Sequence, residues 1–152
     1  MRRRVSEILV RAGWIVALAL GPCRAIAADG PLGDWLTASN DAHVRIAPCA
    51  ETPDRLCGTI VWLAAPKTDA GEVKVDRNNP DPNLQTRPII GTRILSGMQA
   101  DGPNAWDGGT IYDPSVGKSY RSNMKLGAPG QLLVEGCILL FCRQQVWRRV
   151  GS

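Results

Sequence analysis

Short apolar runs, interrupted every few residues by glycine, proline or a polar turn, make up most of the chain after residue 30. The clearest run is Lys118–Leu126, in which Tyr120, Met124 and Leu126 alternate with polar residues. Such alternation places apolar side chains on one face of a strand and polar side chains on the other. No sustained helical periodicity occurs after residue 27, so the pattern predicts an all-β domain.

The same runs define eight candidate strands. Asp113–Gly117 and Gly127–Gly130 form turns between consecutive strands, which is typical of an up-and-down meander. We predict a small closed antiparallel β-barrel, because closure removes the exposed edges of a sheet. The predicted strands are Gly33–Ala38, Ala42–Cys49, Cys57–Ala64, Thr92–Ala100, Ala105–Tyr112, Lys118–Leu126, Gln131–Leu139 and Arg143–Val150.

One long polar segment, Pro66–Pro88, departs from this pattern. It is rich in proline, asparagine and charged residues, and Asp81–Gln85 within it is predicted to form a single short helical turn. Connections of this length inside a compact domain are usually functional or mobile.

The first residues predict export. Three arginines at positions 2–4 are followed by an apolar run, Trp14–Leu20, and then by Ala25-Ile26-Ala27. This order is that of a secretory signal peptide, whereas a membrane span needs about 20 apolar residues. We predict a signal peptide over 1–27, cleaved before Ala28, and a single domain over 28–152 with no membrane span. The product is expected to be periplasmic or secreted.

Cleavage also changes the charge. Five of the 18 basic residues and one of the 14 acidic residues lie in 1–27, which leaves 13 of each. The high isoelectric point therefore belongs to the targeting segment. Without a basic excess, binding to nucleic acid is not expected.

Four cysteines remain after cleavage, and export favours disulfides between them. Of the three possible pairings we predict Cys49–Cys57 and Cys137–Cys142, because each pair flanks a short turn between candidate strands. A zinc site is the alternative, although it would need unoxidised thiolates. Neither pair has the C-x-x-C spacing of a redox site.

Candidate catalytic chemistry is sparse. His43 is the one histidine of the chain, and no H-E-x-x-H or G-x-S-x-G motif is present. We therefore predict no metal and no cofactor. The acidic residues Asp76 and Asp81, with Arg87, are the remaining candidates for an enzyme of the cell envelope.

Several stretches, taken together, resemble a known family. They are Gly33-Asp34-Trp35, Asp76–Pro82 with Arg87–Gly91, Trp106–Pro114 with Gly117–Tyr120, Cys57–Leu63 and the ending Trp147–Val150. With these motifs the chain resembles the DUF2147 family of exported bacterial proteins. The resemblance implies a lipocalin-like (calycin) barrel, in which Trp35 packs under an arginine of the last strand, Arg148 or Arg149. That contact would form the floor of the barrel.

The aromatic residues are the best indication of a ligand site. Trp62, Trp106, Tyr112 and Tyr120 either pack in the core or line a cavity. Asn78, Asn79 and Arg87 would hold a polar head group at its rim. We expect a non-enzymatic protein that binds a small, partly apolar or amphipathic ligand. The alternatives are a protein-interaction module that uses residues 66–88 and the small enzyme named above.

Overall fold

The computed structural model describes residues 30–151, which form one closed antiparallel barrel in the strand order β1 to β8. The predicted fold class is confirmed, and every predicted strand is present to within two residues at each end. A 3₁₀ turn at Pro82–Leu84 falls inside the predicted Asp81–Gln85 turn. The strands are β1 Gly33–Leu36, β2 Ala42–Pro48, β3 Arg55–Leu63, β4 Arg93–Ala100, β5 Ala105–Asp113, β6 Lys118–Leu126, β7 Gln131–Ile138 and β8 Phe141–Arg149.

The predicted signal peptide, 1–27, lies outside the described residues. Within 30–151, no helix is both long enough and apolar enough to cross a bilayer.

The connections of an up-and-down barrel lie alternately at its two ends. The turns at 37–41, 114–117 and 139–140 and the long segment 64–92 lie at one end, which we call the mouth. The turns at 49–54, 101–104 and 127–130 lie at the other end, the floor. Every strand therefore runs between the same two ends, and inward side chains at a given height face each other across the barrel.

The floor is built around Trp35, which is only 1% exposed. Its indole nitrogen donates a hydrogen bond to the Pro31 carbonyl at 2.7 Å. Of the two arginines that the sequence left open, Arg149 lies over the indole, 4.3 Å from the ring centroid, while Arg148 donates a hydrogen bond to Asn40. Gly33 has a φ of +112° and lies so close to the Arg149 guanidinium that a Cβ there would be 3.2 Å from it. The Gly-x-Trp spacing therefore leaves room for the arginine.

The shortest pairing between neighbouring strands is that between β8 and β1. In the described part of the chain these strands pair at two positions, Trp35 with Arg149 and Leu36 with Arg148. Because β1 ends at Leu36, residues 141–147 of β8 have no partner on that side. We call this short contact the β1–β8 seam.

Both disulfides join the cysteines that the sequence paired. Cys49–Cys57 ties β2 to β3 near the floor, and Cys137–Cys142 ties β7 to β8 just below their turn at the mouth. Glu135 lies beside the second pair, with its carboxylate oxygen and the two sulfur atoms within 4.8 Å of one another. The sulfurs are bonded to each other, so they are not available as the thiolates that a zinc site would use.

Candidate functional site

A cavity of about 870 Å³ occupies the mouth half of the barrel. Cavities of about 300–1,000 Å³ commonly hold small molecules. Its inner wall is apolar because alternate residues of the strands point inward; these include Ile60, Ile94, Ile111, Val134 and Trp147. Its outer part is polar and includes Thr37, Asp41, Lys74, Arg77, Asn78, Ser115 and Arg143. An apolar interior with a polar rim matches an amphipathic molecule.

Segment 66–88 forms one side of this cavity. Two isolated bridges, Lys67 with Val73 and Val75 with Pro88, fold the segment on itself. Thr68, Lys74, Val75, Arg77 and Asn78 then face the cavity. The polar composition of the segment thus reflects a folded strap at the mouth, in which Asp76, Asn78, Asn79 and Arg87 make side-chain hydrogen bonds within the molecule.

Asp76 fastens this strap to the barrel. Its side chain is completely buried. Oδ2 accepts hydrogen bonds from the Arg87 guanidinium at 2.7 and 3.0 Å and from the Asn79 amide at 2.7 Å. Oδ1 accepts a hydrogen bond from the Tyr112 hydroxyl of β5 at 2.6 Å. Both carboxylate oxygens of Asp76 thus accept hydrogen bonds from other residues of the protein. The Asp81 side chain also has a structural contact, since it caps the 3₁₀ turn.

The charge state of Asp76 follows from these contacts. Burial by itself raises the pKa of the carboxyl, but the hydrogen bonds from Tyr112, Asn79 and Arg87 outweigh it and hold the pKa below its usual value. Asp76 is therefore a carboxylate at neutral pH. It stabilises the strap as an acceptor and carries no proton to give to a substrate.

A second attachment joins Asn78 to the β5–β6 turn. The Asn78 amide donates a hydrogen bond to the Ser115 carbonyl at 2.7 Å. The backbones meet at Gly117, which has a φ of +66° and where a Cβ would lie 1.7 Å from the Asn78 carbonyl oxygen. Only glycine fits there.

The structure brings some of the predicted ligand-binding residues together. Tyr112, Tyr120 and Asn78 line the cavity. Asn79 and Arg87 bind Asp76, and are not among the cavity-lining residues. The two predicted tryptophans are also placed elsewhere.

Trp62 lies on the outside of the barrel, 41% exposed, and its ring packs against that of His43 with the centroids 4.3 Å apart and the planes tilted by 32°. The register between β2 and β3 shifts here, since His43 pairs with Trp62 but Val44 pairs with Ile60. The extra residue, Val61, reverses the alternation, so Leu63 faces the cavity and Trp62 does not. Trp106 packs against the core and does not line the cavity. Neither tryptophan therefore lines this cavity, and Trp106 takes the core position that the sequence left open as the alternative.

Sequence reasoning missed most of the lining residues, among them Lys74, Arg77, Arg143 and Trp147. The alternation Arg143, Gln145, Trp147 is visible in the sequence and gives the inward face of β8. Lys74 and Arg77 lie in the strap, where no periodicity indicates which side chains point inward. Three cationic groups thus stand at the cavity beside the carboxylates of Asp41 and Asp113.

Tyr112 should lose its proton at an unusually high pH. Burial and the hydrogen bond to Asp76 raise the pKa of Tyr112 to about 12. The chain has two tyrosines, so Tyr120→Phe leaves Tyr112 as the only phenol. An ultraviolet titration of this variant should show phenolate forming near pH 12, and adding Asp76→Asn should move the midpoint toward the ordinary value of about 10.

The dependence of stability on pH gives the matching control. Tyr112 is a proton donor in the fold, so its contribution to stability is complete below pH ~10 and disappears as the pH rises through about 12. Circular dichroism at each pH must show that the barrel is still folded at the midpoint. A midpoint that does not respond to Asp76→Asn would contradict the contact.

The fold and its cavity define a lipocalin-like barrel. A solved structure described as "Protein HP1028 from the human pathogen Helicobacter pylori belongs to the lipocalin family" is similar, with a TM-score of 0.65, 19% sequence identity and coverage of 80% of this chain and 83% of that chain. At that identity the likeness concerns the fold alone. The chain belongs to the DUF2147 family, described as an uncharacterized protein conserved in bacteria, which it matches over residues 33–149. A comparison with curated proteins found no match.

Proposed function

We propose that this protein is exported and binds one small, partly apolar molecule in the mouth cavity, without catalysing a reaction on it. The observation that carries the proposal is the cavity of about 870 Å³, with apolar strand residues inside and polar groups at its rim. The fold is one that can enclose a single small ligand. The order of basic, apolar and small residues before Ala28 supports export, as do the two disulfides.

The walls indicate how such a ligand would lie. An apolar body would contact Ile60, Ile94 and Ile111 in the barrel. A polar or anionic head would remain near the mouth, where Arg77 and Arg143 stand. Neither arginine makes an ion pair with another residue in 30–151. Anion binding there would give both guanidinium groups a partner.

Filling the cavity should weaken ligand binding. Ile111→Trp adds an indole inside, whereas Val146→Trp adds the same ring to the outer face of β8, where Val146 is 43% exposed. With the probe 1-anilinonaphthalene-8-sulfonate, we expect Ile111→Trp to weaken binding at least ~10-fold, because the probe loses the apolar surface that the indole occupies. Val146→Trp should bind as the wild type does. Fluorescence titration measures both dissociation constants.

Native mass spectrometry of protein purified from a periplasmic extract gives a second measurement. A co-purified small molecule should be present in the wild type and in Val146→Trp and absent from Ile111→Trp, with all three chains beginning at Ala28. Equal probe binding by the two tryptophan variants would refute the cavity as the site. A chain retained in the cytoplasm with residues 1–27 intact would refute export.

A further inference from the structure

The turn between β7 and β8 exposes four consecutive large apolar residues. Ile138, Leu139, Leu140 and Phe141 are 59, 88, 95 and 83% exposed. We call residues 138–141 the apolar tip. Soluble proteins seldom leave a contiguous apolar patch in water unless it meets another molecule or a membrane. Of these four residues only Ile138 lines the cavity. Ligand binding there therefore does not explain why Leu139, Leu140 and Phe141 are apolar.

The apolar tip lies at the exposed end of the β7–β8 hairpin. The disulfide Cys137–Cys142 joins the two strands directly below it, with their Cα atoms 4.0 Å apart. On the β1 side, residues 141–147 of β8 have no neighbouring strand in the described chain. Leu139 has a φ of +54°, a conformation in which glycine or asparagine fits better than leucine. An apolar side chain thus stands where turn geometry favours a polar or small one.

Two arginines flank the apolar tip. Arg121 of β6 pairs with Cys137, and Arg143 of β8 pairs with Gly136. Both are exposed, and among residues 30–151 neither forms an ion pair. Basic and acidic residues balance over positions 28–152, but the two guanidinium groups beside the tip outnumber the one carboxylate next to its disulfide, that of Glu135, so the local charge is positive. Apolar residues with adjacent cations are the combination that binds at the surface of a bilayer with anionic lipids.

We propose that the apolar tip inserts into a lipid bilayer that contains anionic lipids, with Arg121 and Arg143 at the level of the head groups. A convex tip of four apolar side chains enters a fluid hydrocarbon layer without a preformed groove. The position of the tip adds a consequence that rests on the proposed function. Ile138 and Arg143 also line the cavity, so insertion brings the mouth to the membrane surface. An amphipathic ligand could then pass between bilayer and barrel with little exposure to water.

Vesicle flotation tests the insertion. The export product is mixed at low salt with vesicles of phosphatidylcholine and phosphatidylglycerol, and the bound fraction is measured. Leu140→Asn should lower the partition coefficient about 10-fold, and Leu139→Asn/Leu140→Asn about 100-fold, because each leucine no longer enters hydrocarbon. The matched control is Leu32→Asn, a leucine 48% exposed near the floor, and it should bind as the wild type does. Arg121→Gln and high salt should each weaken binding to the charged vesicles.

The cavity variant separates this proposal from the previous one. Ile111→Trp should float with vesicles as the wild type does, even though it binds the fluorescent probe more weakly. Failure of the wild type to float, or an equal effect of Leu140→Asn and Leu32→Asn, would overturn the insertion. Analytical ultracentrifugation tests whether a second copy of this chain, in place of a membrane, binds the tip. A dimer that forms through the tip and is abolished by Leu140→Asn, without vesicle binding, would show that a second copy covers the tip and would also overturn the proposal.

Discussion

Replacing Asp76 with alanine should destabilise the protein by about 3 kcal/mol. The substitution removes a fully buried carboxylate that accepts hydrogen bonds from Arg87, Asn79 and Tyr112. Breaking a buried ion pair costs about 3–5 kcal/mol because the partner is left uncompensated, and the lower value applies because the Arg87 side chain is 33% exposed. Urea denaturation followed by circular dichroism measures the change in the free energy of unfolding.

The matched control is another aspartate–arginine pair. Asp34 accepts two hydrogen bonds from Arg45, with an N–O distance of 2.7 Å, the same as that between Arg87 and Asp76. The Arg45 side chain is 59% exposed, so Asp34→Ala should cost less than about 1 kcal/mol. Equal losses from the two alanine variants would show that burial of Asp76 adds nothing.

The effect of Asp76→Ala should also depend on pH. The pKa of Asp76 in the folded protein lies below its usual value. Its contribution is therefore fully present above the unfolded pKa of about 4 and is lost as the pH falls through the folded value. The difference between wild type and variant should be largest at neutral pH and shrink in acid. A difference that grows on acidification would mean that Asp76 is buried as the neutral acid.

Trp35→Ala should be at least as damaging, at about 3–5 kcal/mol. The indole is 1% exposed at the floor, and its loss leaves a cavity, removes the hydrogen bond to Pro31 and removes the ring beneath Arg149. Trp62→Ala is the control, because that indole is 41% exposed on the outer wall, and it should cost about 1 kcal/mol. Thermal unfolding of both variants gives the comparison, and similar melting temperatures would contradict the structural role of Trp35.

The order and number of the strands could be predicted because the alternation of side chains is local. The ends were less accurate, since pairing depends on the partner strand. β1 stops at Leu36 and not at Ala38, because the backbone nitrogen of Thr37 already bonds to Ala42 across the turn. β3 begins early, at Arg55, whose backbone bonds to Cys49.

The site was harder to predict for two reasons. One extra residue at Val61 reverses the faces of Trp62 and Leu63, and no feature of composition indicates such a bulge. The sequence named Asp76 and Arg87 as candidate catalytic residues and Asn79 as a rim residue, but only the fold shows that Asp76 binds Arg87, Asn79 and Tyr112. The cations at the mouth come from segments far apart in the sequence, so their proximity depends on closure of the barrel.

The β1–β8 seam has a consequence for how the chain reaches its fold. Every other pair of neighbouring strands is also consecutive in sequence, whereas the contact between Arg149 and the Leu32 carbonyl joins positions 117 residues apart. Closing so long a loop costs the most chain entropy of any pairing in the barrel. We expect the meander to form hairpin by hairpin and circular closure to follow as the final step, through two residue pairs in the described chain and the stacking of Arg149 on Trp35. The motif Gly33-x-Trp35 at the start of the domain would then contact Arg149 only after the other strands have paired, and this contact would hold the barrel closed.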